Sequence, residues 1–238
     1  MTGILVLTAV ELEARALARE LELRRVPGHP FSAYEPSSNR PRLRLAPVGV
    51  RATLLPDRWS ALVAGLQVPL VISAGVCGAL APELGVGDLL IPESVLGPGG
   101  ERLNVTPGAH RAAVSAAGHA CTGCLLTSAE LVATPEAKAA RWAETGAWAV
   151  DMESAAIVAW ASRQGCPCLV VRAVADPAGQ HVPAELIGLL TPEGKLRTRR
   201  ALALVLSRPT AIRHALALRG TTRLALNSVA RLIAELAE

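Results

Sequence analysis

Apolar residues fall into short blocks separated by polar stretches, and this pattern predicts strands alternating with helices. Continuous or alternating apolar runs predict strands over residues 4–7, 43–49, 70–74 and 168–174. Helical patterns follow over residues 9–15, 106–120, 135–144 and 154–162. The last of these carries no charge and is apolar on every side, as in a buried helix. This order of elements is typical of α/β proteins.

The window from Ser60 to Ala81 is uncharged and long enough to span a membrane. Proline and glycine residues divide it, so we interpret it as a helix end, the strand Leu70 to Ala74, and a glycine turn around Gly75 and Gly78. Backbone amides in such a turn can hold an oxygen atom of a ligand.

Composition narrows the class of protein. The chain has 238 residues, of which 51% are hydrophobic, enough for a substantial core. Aromatic residues make up only 3%, and the net charge is a mild +4, so no nucleic-acid partner is expected. The five cysteines lack the histidine partners of a zinc site, which predicts buried thiols, no metal and a cytoplasmic location.

Four carboxylates stand at the ends of these apolar elements. Asp151 and Glu153 precede the buried helix, Asp176 follows the strand 168–174, and Glu13 lies in the first turn of the helix 9–15, which Thr8 can cap. Each has an ordinary interpretation, because negative charge favours helix starts and aspartate before proline favours turns. A ligand site is the alternative, because open α/β sheets bind ligands beyond the carboxyl ends of their strands.

The segments Asp151-Met152-Glu153 and Arg172-Ala-Val-Ala-Asp176 together resemble the purine nucleoside phosphorylase and nucleoside hydrolase superfamily. The run Thr8-Ala-Val-Glu11-Leu-Glu13 is similar to a motif of its hydrolases, and the resemblance covers about residues 4–179. It implies a three-layer α/β/α fold with a central mixed, partly barrel-like sheet, plus C-terminal helices.

The resemblance also implies roles for individual residues. Asp176 would donate a proton to the base, Glu13 would activate water, Glu153 would anchor the ribose hydroxyls, and Met152 would line the sugar. The implied reaction needs no cofactor. Other expected contacts with the substrate come from Asp151, Gly49, Gly75, Val76, Ser128, Leu131 and Val132.

The expected reaction is cleavage of the N-glycosidic bond of a 5′-modified purine nucleoside, releasing the base, with adenine expected. The superfamily's phosphorylases grip phosphate with an arginine and a serine where this chain has Ser73 and Val76, which favours water as the nucleophile. Three alternatives stay open. They are a nucleosidase for methylthioadenosine, adenosylhomocysteine or futalosine, a phosphate-dependent phosphorylase, and a nucleoside-binding regulatory module without catalysis.

The chain is expected to form one domain over residues 1–238, with residues 184–238 as a helical C-terminal extension packed on it. Its leucines and alanines alternate with arginines, which predicts amphipathic helices on the core or against anionic lipid. The extension resembles the hopanoid-biosynthesis-associated branch, whose members act on adenosylhopane, which implies peripheral contact with the inner membrane. A homodimer is also expected. The arginines are at 197, 199, 200, 208, 213, 219, 223 and 231.

Overall fold

The computed structural model describes residues 3–37, 43–67, 69–182 and 209–237, with side chains of the last segment described from residue 220 onward. Within these residues the strands are β1 (Ile4–Thr8), β2 (Leu23–Arg25), β3 (Tyr34–Pro36), β4 (Leu43–Pro47), β5 (Leu70–Ala79), β6 (Leu89–Leu90), β7 (Ser94–Leu96), β8 (Arg102–Asn104), β9 (Leu125–Thr127), β10 (Ala149–Asp151) and β11 (Cys168–Asp176). The helices are α1 (Glu11–Glu20), α2 (Leu55–Val63), α3 (Pro107–Ala117), α4 (Pro135–Thr145), α5 (Ser154–Arg163) and α6 (Pro209–Leu236), and a 3₁₀ turn spans Val50–Ala52.

All eleven strands belong to one mixed sheet, whose main path runs β2-β3-β4-β1-β5-β10-β9-β7-β8. The neighbours β4, β1, β5 and β11 pair in parallel, whereas β10 pairs antiparallel with β5. Strand β11 branches from β5 and carries β6 on its other side. The predicted mixed sheet is confirmed. Among the described residues it does not close into a barrel, so the partly barrel-like character is not observed there.

Helices cover both faces of the sheet, as the apolar strand runs predict. Along β1, Leu5 and Leu7 face the core shared with α2 and α5, while Ile4 and Val6 face the core shared with α1, α3 and α6. Because successive side chains of a strand point to opposite faces, a strand buried on both faces needs apolar residues at every position. The predicted three-layer α/β/α architecture is confirmed.

Two local predictions are wrong. The glycine segment after Ala74 is not a turn, because β5 continues without interruption to Ala79 in parallel register with β11. Thr8 does not cap the first helix, because it is the last residue of β1 and its hydroxyl donates instead to the carbonyl of Val10.

Helix α6 packs against β11, α1, α3 and β5. It buries Leu226, Val229 and Ile233 and exposes Arg223 and Arg231, which agrees with the interpretation of solvated arginines on a core-packed helix.

Residues 183–208, including Arg197, Arg199, Arg200 and Arg208, lie outside the described residues, as do the side chains of Arg213 and Arg219. The one-domain arrangement with a 184–238 extension therefore stays a prediction. No helix in the described part of the chain combines the length and hydropathy needed to cross a bilayer.

Candidate active site

Glu13 lies at the start of α1 with its carboxylate buried against β5. Its Oε2 accepts hydrogen bonds from the backbone amides of Ala9 (3.1 Å) and Val10 (3.3 Å), and its Oε1 accepts one from the amide of Val76 (3.1 Å). Burial raises the pKa of Glu13, while the nearby charge of Arg172 and the three amides act in the opposite direction. A buried carboxylate is thus held in one orientation by main-chain donors.

Arg172 connects the carboxylates at the centre of the site. The side chain is 2% exposed, and its Nε donates to Oδ2 of Asp151 at 2.9 Å. Its Nη2 donates to the hydroxyls of Ser73 (2.9 Å) and Ser154 (3.0 Å). A cation buried this deeply needs charge pairing and hydrogen bonds together, and Arg172 has both.

Asp151 is the anionic partner of Arg172 and is itself fully engaged by protein donors. Its Oδ1 accepts from the hydroxyl of Thr127 at 2.7 Å, and its Oδ2 also accepts from the amide of Ser154 at 3.0 Å. That amide belongs to the first residue of α5, where a carboxylate is favoured by the helix dipole. The contact of Asp151 with substrate stays a prediction, and its observed contacts orient Arg172 and the start of α5.

Glu153 directly precedes α5 and is 8% exposed. Its Oε1 accepts from the backbone amide of Arg51 at 3.0 Å. Burial, followed by the charge of Asp151, raises the pKa of Glu153 to about 7. Gly49 precedes the 3₁₀ turn that presents this amide, and its φ of 82° suits a glycine. Gly49 thus lies next to the turn that holds Glu153, and its contact with the substrate stays a prediction.

Asp176 ends β11 and contacts a residue that the motifs do not contain. Its Oδ2 accepts from Nζ of Lys138 on α4 at 2.7 Å, and the Asp176 side chain is 15% exposed whereas that of Lys138 is 0% exposed. Lys138 also donates to the carbonyls of Pro177 (2.8 Å) and Gln180 (3.1 Å). Burial raises the pKa of Asp176, and Lys138 acts in the opposite direction.

Two glycines of β5 make room for the two predicted catalytic carboxylates. A β-carbon at Gly75 would lie 2.7 Å from Oε1 of Glu13, and one at Gly78 would lie 2.8 Å from Oδ2 of Asp176. Any side chain at either position would therefore displace a carboxylate. The two glycines are three residues apart, or roughly 10 Å along the strand.

Met152 lines two cavities. Asp176 lines the smaller one, and the residues lining the two cavities include neither Glu13 nor Glu153. The smaller, of about 50 Å³, is lined by Asp176 and Gly78 together with Leu131 and Val132. The larger, of about 410 Å³, includes Ser128 and extends along α5. The structure thus brings Asp176, Met152, Leu131 and Val132 together, and places Ser128 on the other side of Met152. Gly75 and Val76 face Glu13.

Sequence reasoning missed Lys138 and assigned no role to Arg51, Thr127 or Ser154. Lysine is rare in this chain, which has only Lys138 and Lys195, but nothing in the segment 135–144 distinguishes a buried lysine from a solvated one. Among the described residues, no group of three or more histidine, cysteine or acidic side chains is arranged to hold a metal ion.

Comparison with known proteins shows the family of the chain. The sequence profile of the Phosphorylase superfamily matches residues 4–207. The chain belongs to this superfamily. A futalosine hydrolase of Streptomyces coelicolor is 31% identical, with 74% of this chain and 84% of that protein covered.

Solved structures of superfamily members share the fold. The 5′-methylthioadenosine/S-adenosylhomocysteine nucleosidase of Neisseria meningitidis, in complex with methylthio-immucillin-A, superposes with a TM-score of 0.72 at 21% identity, covering 99% of this chain and 98% of that one. The futalosine hydrolase of Helicobacter pylori superposes with a TM-score of 0.72 at 16% identity, covering 98% and 96%. At these identities the likeness establishes the fold alone.

Proposed function

We propose that this protein hydrolyses the N-glycosidic bond of a 5′-modified purine nucleoside and releases the base. The observation that carries the proposal is the arrangement of Glu13 and Asp176 against Gly75 and Gly78 of one strand, with Met152 between the two cavities. Membership of the Phosphorylase superfamily and the similarity to futalosine hydrolase support it.

The chemistry divides between the carboxylates. Departure of a purine needs a proton on the base, and Asp176 lines the small cavity as the proton donor. The sugar carbon left behind resembles an oxocarbenium ion, which water attacks once Glu13 has accepted its proton. Glu153 would accept hydrogen bonds from the ribose hydroxyls.

Water is favoured over phosphate because the residues at the phosphate-gripping positions have other partners. The hydroxyl of Ser73 accepts from Arg172, and Val76 contributes its amide to Glu13. Arg172 is bound to Asp151 at 2.8 Å, so it is not available to bind a dianion without breaking a buried ion pair. These contacts maintain Glu13 in its orientation.

The larger cavity is the expected position of the 5′ substituent, because it begins at Met152, which is expected to line the sugar. Its walls are mainly apolar, with Leu55, Pro56 and Trp160 among them. Its charged lining residues are two arginines, Arg51 and Arg163, and one acidic residue, Glu101. The guanidinium of Arg163 lies 5.3 Å from the centroid of the Trp160 ring. A sizeable, partly apolar substituent with an acidic or hydrogen-bond-accepting end fits these walls, so futalosine is the first substrate to test.

Adenosylhopane and adenine release stay finer predictions. The hopanoid resemblance depends on the segment 184–238, most of whose first half lies outside the described residues. Homodimer formation and peripheral membrane contact are predictions of the same kind. Adenine release from adenosylhopane, and co-sedimentation with anionic liposomes that weakens with salt, would support this branch.

The deciding experiment measures base release in phosphate-free buffer and again with phosphate restored. The panel contains futalosine, methylthioadenosine, adenosylhomocysteine, adenosine, inosine and adenosylhopane. We expect base and free sugar without phosphate, and we expect Glu13→Gln to lose turnover while Glu20→Gln, an exposed position on the same helix, does not. A strict requirement for phosphate with a sugar 1-phosphate product would contradict hydrolysis. No base release from any member would contradict the proposed function.

A further inference from the structure

Lys138 is an unusual lysine because its ammonium group is completely enclosed by protein. An ammonium has three protons to donate, and here the three acceptors are Oδ2 of Asp176 and the carbonyls of Pro177 and Gln180. The two carbonyls belong to the turn that follows β11. A buried charge is costly unless its hydrogen bonds are satisfied, and these three acceptors satisfy the ammonium and fix it in place.

The same contacts leave the two oxygens of Asp176 in different situations. Oδ2 is held by Lys138, and a β-carbon at Gly78 would lie 2.8 Å from this oxygen but 3.5 Å from Oδ1. Among the described residues Oδ1 has no hydrogen-bond partner, and the Asp176 side chain lines the small cavity beside Met152. A proton on this carboxyl group belongs on Oδ1, because Oδ2 already accepts from a cation.

We propose that Lys138 is the positioning residue of the proton donor: its ammonium holds Oδ2 of Asp176 so that Oδ1 carries a proton toward the purine base. This inference rests on the proposed function. In the step, the Oδ1–H bond of Asp176 breaks as an N–H bond forms on the base. The electron pair of the glycosidic bond goes to the departing base. The carboxylate that remains is stabilised by the ammonium of Lys138.

The positive charge of Lys138 makes it easier for Asp176 to release its proton. Burial alone raises the pKa of Asp176, and a carboxyl group whose pKa is far above the working pH is a poor donor. Lys138 acts against burial, so its removal would raise the pKa of Asp176 further. Activity that needs the protonated acid would then persist to higher pH, but each proton transfer would be slower.

Among the described residues, Lys138 is the charged group that acts on the pKa of Asp176, and the other titratable groups around it do not replace this cation. Burial raises the pKa of Cys77, so this thiol stays neutral. On α4 itself, Glu136 is solvent-exposed and interacts with His181. The acidic side chains that line the small cavity with Asp176 are Glu130 and Asp151.

The test compares Lys138→Met, Lys138→Arg and a matched control, Arg141→Met, which removes an exposed cation from the same helix. The measurements are kcat and KM for base release against pH, with a thermal unfolding curve for each variant. For Lys138→Met we expect kcat to fall roughly 10- to 100-fold, part of the ~10²–10⁴-fold contribution of a general acid. We also expect the basic limb of the pH–rate profile of Lys138→Met to move to higher pH. Lys138→Arg should recover much of the rate, and Arg141→Met should match the wild type.

The outcomes separate this inference from the proposed function. An active wild type together with a folded Lys138→Met variant of unchanged pH profile would overturn the role of Lys138 and leave hydrolysis standing. Carbon-13 NMR titration of the Asp176 carboxyl group tests the pair without any substrate, with Asp176→Asn identifying the signal. A higher pKa of Asp176 in Lys138→Met supports the inference, and an unchanged or lower one contradicts it. If Lys138→Met does not fold, Lys138→Arg supplies the test. A kcat of Lys138→Arg far below that of the wild type, with its pH–rate profile displaced to higher pH, would also contradict the inference.

Discussion

Glu13 and Asp176 are both largely buried carboxylates, but different kinds of hydrogen-bond donor hold them. Glu13 receives three backbone amides and lies beside Arg172, whose own charge is balanced by Asp151. Asp176 receives one ammonium, from Lys138, on one of its two oxygens. The amides favour the ionised form of Glu13 and so oppose the burial that raises its pKa, and the proposed role of Glu13 in activating water requires that form. The cation on Oδ2 also favours the ionised form of Asp176, but among the described residues it leaves Oδ1 without a hydrogen-bond partner, as the proposed role of Asp176 as proton donor requires.

This difference bears on the proposed roles of Glu13 as the base and Asp176 as the acid. The amides that bind Glu13 come from the main chain at the end of β1 and along β5, so the fold itself orients the base. The cation that binds Asp176 comes from a side chain of α4, so a single substitution can change the acid without changing the sheet. We therefore expect the two sides to respond differently to mutation.

The largest expected effect is on turnover after Asp176→Asn. The amide keeps the shape and can still accept from Lys138, but it has no acidic proton, so kcat should fall by about 10²–10⁴-fold. Initial rates of base release measure this, with Asp88→Asn as the matched control. Asp88 is an exposed turn residue that accepts from the amide of Gly85 at 2.8 Å. Unchanged turnover in Asp176→Asn would exclude Asp176 as the proton donor.

The next effect is on stability after Arg172→Met. This substitution leaves Asp151 buried without its cation, and loss of one partner of a buried pair costs about 3–5 kcal/mol. Chemical denaturation measures the free energy of unfolding. The control is Arg15→Met, which removes an exposed ion pair with Glu11 and should cost about 1 kcal/mol or less. Equal losses of unfolding free energy in the two variants would show that the hydrogen bonds of Arg172 do not stabilise the site.

Alanine at each glycine of β5 tests whether both carboxylates depend on the space beside the strand. The added β-carbon approaches Glu13 in Gly75→Ala and Asp176 in Gly78→Ala. The free energy of unfolding of each variant should therefore fall by about 1–3 kcal/mol, and each should lose part of its activity. We expect the larger loss of stability at Gly75, because Glu13 is more deeply buried than Asp176. At Gly85 the nearest atom is 3.6 Å away, so Gly85→Ala is the control. If Gly75→Ala and Gly78→Ala were as stable and as active as the Gly85→Ala control, the proposed packing would be contradicted.

The smallest effect concerns Glu153 and pH. Its pKa is raised to about 7 by burial and by Asp151, so its ionisation destabilises the folded state as pH rises from about 4.5 through 7. Glu153→Gln cannot ionise, and we expect it to gain on the order of 1–2 kcal/mol relative to wild type at pH 8 compared with pH 5. Thermal unfolding at the two pH values measures this, and an equal difference at both would contradict the raised pKa. KM should rise, because the ribose hydroxyls would lose a charged acceptor.

Much of the architecture and part of the candidate site could be predicted from sequence because both lie in local patterns. The run Cys168 to Val174 is apolar at nearly every position, and β11 is buried along almost its whole length. Asp176 could be located because it follows that run directly. The glycine segment was misinterpreted as a turn because glycine is common in turns, whereas here Gly75 and Gly78 are needed by side chains distant in the sequence.

The sequence by itself determined an α/β order of elements through its apolar periodicity. Its motifs carried the superfamily resemblance, which implied the three-layer fold and singled out Glu13, Glu153 and Asp176, because periodicity and motif spacing are properties of neighbouring residues. Only the tertiary structure decided which donors bind those carboxylates. Lys138 reaches Asp176 across 38 positions of the chain, and the amide of Arg51 reaches Glu153 across 102. Hydrogen bonds and desolvation depend on separation in space, so the partners of a carboxylate, and with them its pKa, become readable only once the chain is folded.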